Sequence, residues 1–209
     1  MTQTKQNQKQ IQTLTRQAKT FYRDGWMVGT SGNLSVKLSG QPLQFAITAS
    51  GIHKGKLRSS QVLKVQANKR ILSSRNGKYT PSAETAIHRA LYQLFPNCRA
   101  VFHVHTLHST EVSLRYKGKR SIPVKGLEMF KGFGITNMKK TLQIPLFPNL
   151  NNLESLARRI QTKFKARQPN LPGFLIEGHG LTAWGKNLDE AQKHVELLEF
   201  ICRYVWLSR

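Results

Sequence analysis

The chain has 209 residues, 39% hydrophobic and 21% charged, a balance that excludes a disordered or collagen-like chain and suits one domain with a real core. No apolar run reaches the roughly 18 residues that a membrane-spanning helix needs, and Met1 to Gln10 lack the apolar stretch of a secretory signal, so a cytoplasmic protein with no membrane segment is expected. Thirty-three Lys and Arg outnumber ten Asp and Glu for a net charge of +23. These residues are scattered from Lys5 to Arg209 in short clusters, so the charge predicts attraction of anionic ligands and no specific nucleic-acid partner.

Residues 1–8 form a polar tract expected to lie disordered outside a single domain over 9–209. From about Lys9 to Arg23, Ile11, Leu14, Ala18, Phe21 and Tyr22 recur at helical spacing, and Gly25 is placed to end the helix. The segment Gly29-Thr-Ser-Gly-Asn-Leu-Ser35 offers backbone N–H groups, hydroxyls and an amide, which together can wrap an anion. Leu34–Leu38 and Leu43–Thr48 read as a hairpin, followed by the small-residue turn Thr48-Ala-Ser-Gly51. Val62–Gln66 and Arg70–Leu72 read as another hairpin, and Asn76-Gly77 as a turn.

Ser82 is the predicted N-cap of a helix carrying Ala83, Ile87, Ala90, Leu91 and Leu94 on its buried stripe, ended by Pro96-Asn97. Ala100–His105 is a core strand, Thr106 opens a helix running toward Tyr116, and Ser121–Lys125 is a strand followed by a loop or helical turn over Gly126-Leu-Glu-Met-Phe-Lys-Gly132. Thr141–Phe147 reads as a strand, and Asn151-x-x-Glu154 as a capping box opening a helix with Leu153, Leu156, Ala157, Ile160 and Phe164 on one face. Leu171–Glu177 and Leu181–Trp184 are strands either side of Gly178-His-Gly180. Asn187-x-x-Glu190 opens the last helix, lined by Ala191, Val195, Leu198, Cys202 and Val205. Hairpins with helices between them imply a mixed sheet flanked by helices. Cys98 and Cys202 are too few for a disulfide framework, which fits a reducing compartment.

The residues that carry chemistry sit on this frame. His103 and His105, two apart on a strand, point to one face and can grip a divalent ion, although such a pair also occurs as satisfied core groups. Of the seven histidines, His179 is the one held between two glycines after an apolar strand, where the backbone can bring an imidazole close to a neighbouring strand. Acidic residues are scarce, and Glu84 and Glu128 both fall beside small or glycine-rich segments. Either is a candidate acid/base, and a surface glutamate or helix-dipole partner is the plainer alternative for each.

Six segments in order, Gly29–Ser35, Thr48–Gly51, Pro81-Ser-Ala-Glu-Thr85, His103-Val-His105, Glu128-Met-Phe-Lys-Gly132 and Gly178-His-Gly-Leu-Thr-Ala-Trp-Gly185, make the chain resemble the class II aldolase/adducin-like family from about Phe21 to Tyr204. The resemblance implies a three-layer α/β domain with a largely antiparallel central sheet. It implies one catalytic zinc ion per subunit on His103, His105 and His179, and a sugar phosphate held by Asn33, Ser50, Gly51 and Ser82. The aldolase branch uses the carboxylate matching Glu84 as its acid/base, and the dehydratase branch the one matching Glu128. Glu128-Met-Phe-Lys-Gly132 and the Trp184-Gly185 ending favour the dehydratase branch, with water lost from a methylthio-bearing ketose phosphate. The alternative is an aldolase or epimerase of fuculose or ribulose phosphate. A non-catalytic adducin-like or nucleic-acid-associated relative is expected to lose metal ligands, and all three histidines are present. The resemblance also implies a homotetramer with sites near subunit interfaces.

The +23 charge leads to a first prediction. If it steers a phosphorylated substrate, kcat/KM falls as ionic strength rises, whereas a profile flat against salt would overturn steering.

Overall fold

The structure, a computed structural model, describes residues 2–68, 70–73 and 77–208. Asn76, the first residue of one expected turn, lies outside them. The elements in chain order are α1 (Gln3–Arg23), β1 (Asn33–Gly40), β2 (Leu43–Thr48), β3 (Val62–Gln66), β4 (Ile71–Ser73), α2 (Thr85–Leu94), β5 (Ala100–Val104), α3 (Leu107–Arg115), β6 (Ser121–Val124), β7 (Leu142–Phe147), α4 (Leu153–Ala166), β8 (Gly173–Ile176), β9 (Gly180–Gly185) and α5 (Leu188–Leu207).

The strands join in the order β4-β3-β2-β1-β5-β9-β8-β7-β6. Every pairing is antiparallel apart from β7 with β8. All five residues of β5 are buried because it lies mid-sheet with both faces covered. Ala100, Phe102 and Val104 pack with Leu14 of α1, Val112 of α3 and Leu198 of α5 on one face. Val101 packs on the other, with Ile87 and Leu91 of α2 and Leu156 and Ile160 of α4. The alternation of β5 therefore delivers its histidine at position 103 to the α2/α4 face. Helices cover both faces of a largely antiparallel sheet, the three-layer arrangement that the resemblance implies. No helix of the described residues is long and apolar enough to cross a membrane.

Three local expectations differ from the structure. The polar tract is helical from Gln3 onward, because Gln and Lys favour helix and Gln3 donates to the Asn7 side chain at 2.9 Å one turn away. Helix α2 begins at Thr85 with Glu84 as N-cap, and not at Ser82. The bridge between Ala49 and Pro81 keeps that segment extended, and Ser82 instead closes a turn, its carbonyl accepting the Thr85 N–H and its hydroxyl the Glu84 N–H. Asn152, and not Asn151, caps α4 by accepting the Ser155 N–H, while Glu154 turns away to pair with Arg89 of α2 at 2.7 Å.

The tightest backbone approach lies where β9 starts. A Cβ at Gly180 would stand 2.3 Å from the Val104 carbonyl oxygen, so a side chain there forces β9 off β5. Gly180→Ala is expected to lower stability in urea unfolding by about 1–3 kcal/mol, as overpacking does. An unchanged midpoint would contradict this close packing.

Candidate metal centre

The site is founded on one cross-strand row. Asn33 of β1 lies opposite His103 of β5, and His103 opposite Thr182 of β9, so the three side chains share a face. His103 Nδ1 lies 3.0 Å from the Thr182 hydroxyl. With Nδ1–H donating there, the ring is locked with its Nε2 lone pair facing outward. His105, just past the end of β5, has its N–H held by the Trp26 carbonyl at 2.8 Å and keeps the same side as His103. The turn between β8 and β9 carries His179, brought in because Gly180 lets β9 pass against the end of β5.

The three imidazoles close on one another. Ring centroids are separated by 4.8 Å for His103 and His105, 5.0 Å for His103 and His179, and 4.6 Å for His105 and His179, with interplanar angles of 75°, 85° and 80°. His103 Nε2 and His105 Nε2 are 2.9 Å apart. Glu84 completes the group from the N-terminus of α2, with Oε2 at 3.3 Å from His103 Nε2 and Oε1 at 3.2 Å from His179 Nε2. One donor atom from each of the four residues lies within 4.8 Å of the other three. Burial and neighbouring imidazoles hold His103 and His105 well below the ordinary histidine range, so both rings are neutral.

This donor set fits a divalent cation. With its Nδ1–H given to Thr182, His103 turns an Nε2 lone pair toward Glu84 Oε2 at 3.3 Å, two acceptors that repel unless a cation lies between them. Glu84 Oε1 is buried with no hydrogen-bond donor, an arrangement that is costly for a carboxylate with nothing positive beside it. Three histidines and one carboxylate oxygen suit zinc and also other first-row ions.

Glu84 is held by a buried chain of hydrogen bonds. Asn33 Nδ2 donates to Glu84 Oε2 at 2.5 Å, and His88 Nε2–H donates to Asn33 Oδ1 at 2.6 Å. That leaves His88 Nδ1 as an acceptor for the Ser35 hydroxyl at 2.6 Å, and Ser35 Oγ accepts in turn from Tyr92 at 2.7 Å. Burial pushes His88 down to about 3, so it remains the neutral tautomer that this direction requires.

The cluster opens into a cavity of about 270 Å³. Asn33, Ser50, Gly51 and Ser82, the four residues matched to phosphate binding, line it together. The Ala49–Pro81 bridge joins the Ser50–Gly51 turn to Ser82. Gly32, at φ +70°, has no room for a Cβ, which would stand 2.9 Å from the His103 carbonyl, so the Gly29–Ser35 loop rests directly on β5. Glu128 is not among the residues that line the cavity. It begins a 3-10 turn over Glu128–Phe133, its side chain is 73% exposed, and it pairs with Lys131 at 2.5 Å.

Sequence reasoning gave no role to His88, Ser35, Tyr92, Thr182 and Lys54. Two of them carried a legible signal. His88 is one helical turn beyond Glu84, and Ser35 is two strand positions beyond Asn33, so each shares a face with a residue already singled out.

Comparisons place this geometry among known proteins. The family described as Class II Aldolase and Adducin N-terminal domain matches residues 12–206. A methylthioribulose-1-phosphate dehydratase of Microcystis aeruginosa is 39% identical over 90% of this chain and 90% of its own. One from Persephonella marina is 36% identical over 96% and 90%. An L-fuculose-1-phosphate aldolase from Thermus thermophilus shares the fold, with a TM-score of 0.71 over 95% of each chain at 22% identity. With a match over nearly its whole length and a cluster of three histidines and one glutamate at the heart of the sheet, the chain belongs to the class II aldolase and adducin family.

Proposed function

We propose that this chain is a methylthioribulose-1-phosphate dehydratase acting in methionine salvage. The reading is that it removes water from 5-methylthioribulose 1-phosphate to give 5-methylthio-2,3-dioxopentyl phosphate. The observation that carries it is the meeting, at one cavity, of Glu84, His105 and His179 from the cluster of three histidines and one glutamate with Asn33, Ser50, Gly51 and Ser82, in a chain 39% identical to a protein of that name. The ion is zinc, one per chain, held by His103, His105 and His179 with Glu84 beside it. When bound there, it supplies Lewis-acid polarisation of the substrate's carbonyl and stabilises developing negative charge on oxygen.

The chain's own groups do the rest. Asn33, Ser50, Gly51 and Ser82 bind the phosphate through amide, hydroxyl and backbone N–H donors and so fix the ketose along the cavity. A carboxylate takes the proton from C3. The hydroxyl on C4 leaves and is protonated to water, and the resulting enol tautomerises to the 3-ketone. Glu128 is assigned the C3 proton and Glu84 a supporting role near the metal. Because Glu128 is exposed and outside its own chain's cavity, this reading has it serve the cavity of a neighbouring subunit in a homotetramer. Buried, unpaired Cys98 and Cys202 accord with a reducing cytoplasm.

Purified zinc-loaded protein should convert methylthioribulose 1-phosphate with loss of one water. Preferential cleavage of fuculose 1-phosphate would move the assignment to aldolase. Glu128→Gln should lower kcat by about 10²–10⁴ with metal content intact, the range for losing a general base. His103→Ala should lose both metal and turnover.

Mixing the two inactive variants tests the subunit assignment. Co-refolded Glu128→Gln and His103→Ala chains should regain activity, since a Glu128→Gln subunit keeps its metal site and can receive Glu128 from its neighbour. Mixtures as inactive as their components would place the proton transfer within one chain.

A further inference from the structure

Among the described residues, Lys54 is the one lysine or arginine lining the cavity that opens on Glu84, His105 and His179, and it is only 1% exposed. It sits in the 3-10 turn Lys54–Lys56 that follows the Ser50–Gly51 turn. Its Nζ donates to the Thr30 carbonyl at 2.8 Å and to the Ile52 carbonyl at 2.9 Å. Those carbonyls belong to the two loops that carry Asn33 on one side and Ser50 and Gly51 on the other. The ammonium therefore ties both loops together with two of its three N–H groups and has one left.

Among the described residues, no carboxylate forms an ion pair with Lys54. Glu84 lines the same cavity, but its Oε2 accepts from Asn33 and its two oxygens face His103 and His179 at 3.3 and 3.2 Å, with no ion pair to Lys54. A buried ammonium without a counter-ion is costly, and burial alone lowers this one to about 8, still protonated at neutral pH. A fold keeps such a group where an anion arrives to complete it. The surrounding donors from Ser50, Gly51, Ser82 and Asn33 are all neutral, so without Lys54 the cradle has no formal positive charge for a phosphate dianion.

We infer that Lys54 binds the substrate's phosphate directly, supplying through its third N–H the cationic contact of the cradle. The inference rests on the reading that the substrate is a phosphorylated ketose. Lys54 is a binding residue on this account, so its loss falls on substrate affinity ahead of turnover. A purely structural role, tying the two loops, is separated from this by a substitution that keeps a donor and removes the charge.

The test uses the full zinc-loaded chain and inorganic phosphate as the probe. Lys54→Gln keeps an amide N–H for the loop carbonyls, and it should weaken phosphate binding in calorimetric titration about ten- to a hundredfold, as loss of a charge-assisted contact does. Zinc content should stay the same. KM for the ketose phosphate should rise by a comparable factor with a smaller change in kcat, and Lys54→Arg should retain most of the affinity. A folded, zinc-loaded Lys54→Gln protein that binds phosphate within twofold of the unsubstituted chain would overturn the inference. Should that variant not fold, the unsubstituted protein with ¹⁵N-labelled lysine still decides. The Lys54 ammonium resonance should shift on adding phosphate, and no shift at saturation would overturn the inference. Because the probe is inorganic phosphate, a chain that fails to turn over methylthioribulose 1-phosphate but loses phosphate binding with Lys54 overturns the assigned substrate and leaves this inference standing.

Discussion

The antiparallel register that sets Asn33, His103 and Thr182 side by side on β1, β5 and β9 is the constraint on which the site depends. A slip by one residue in either pairing would turn Asn33 or Thr182 to the opposite face of the sheet, away from His103. Thr182 would no longer lock the His103 tautomer, and Asn33 would no longer link His88 to Glu84. The register is strongly held because every residue of β5 and β9 is buried, so a slip would also misplace two hydrophobic layers. The apolar sandwich is therefore what fixes the polar row, and the polar row fixes the metal donors.

Charge is distributed sparingly around that row. His103, His105 and His88 are all held neutral by burial, which keeps the first two ready as ligands and the third as a directed hydrogen-bond relay. Glu84 is the one carboxylate at the cluster, and one of its oxygens has no donor. Among the described residues, Lys54 is the one full cation lining the cavity, and it lacks a counter-ion. Each of these two charges is left incomplete by the protein alone. A divalent ion would complete the first and an anionic substrate the second, which is why the interior resembles a pair of sockets more than a finished salt-bridge network.

Much of this was legible in the sequence. The His-x-His spacing fixes a shared face as soon as β5 is recognised as a strand, and Gly180 after His179 signals a close backbone approach, which the Val104 carbonyl provides. Strands and helices follow from apolar periodicity, and their boundaries miss where a tertiary contact intervenes, as at Ser82, displaced from its cap by the Ala49–Pro81 bridge. Lys54 was hidden for a different reason. In a chain with 33 Lys and Arg, composition makes any single lysine look like surface, and only tertiary burial sets this one apart. The separation of Glu128 from the cavity was equally illegible, since a motif gives order along the chain and not which pocket a side chain reaches.

Metal binding by Glu84, His103, His105 and His179 is the proposal on which the rest of the mechanism depends. The most direct measurement is the zinc K-edge X-ray absorption spectrum of protein loaded with one equivalent of zinc. Nitrogen and oxygen neighbours are expected at about 2.0–2.2 Å, with the multiple-scattering pattern of three imidazoles and no sulfur shell. That pattern should drop by one imidazole in His179→Ala. A first shell with sulfur, or a spectrum with no imidazole scattering, would contradict it.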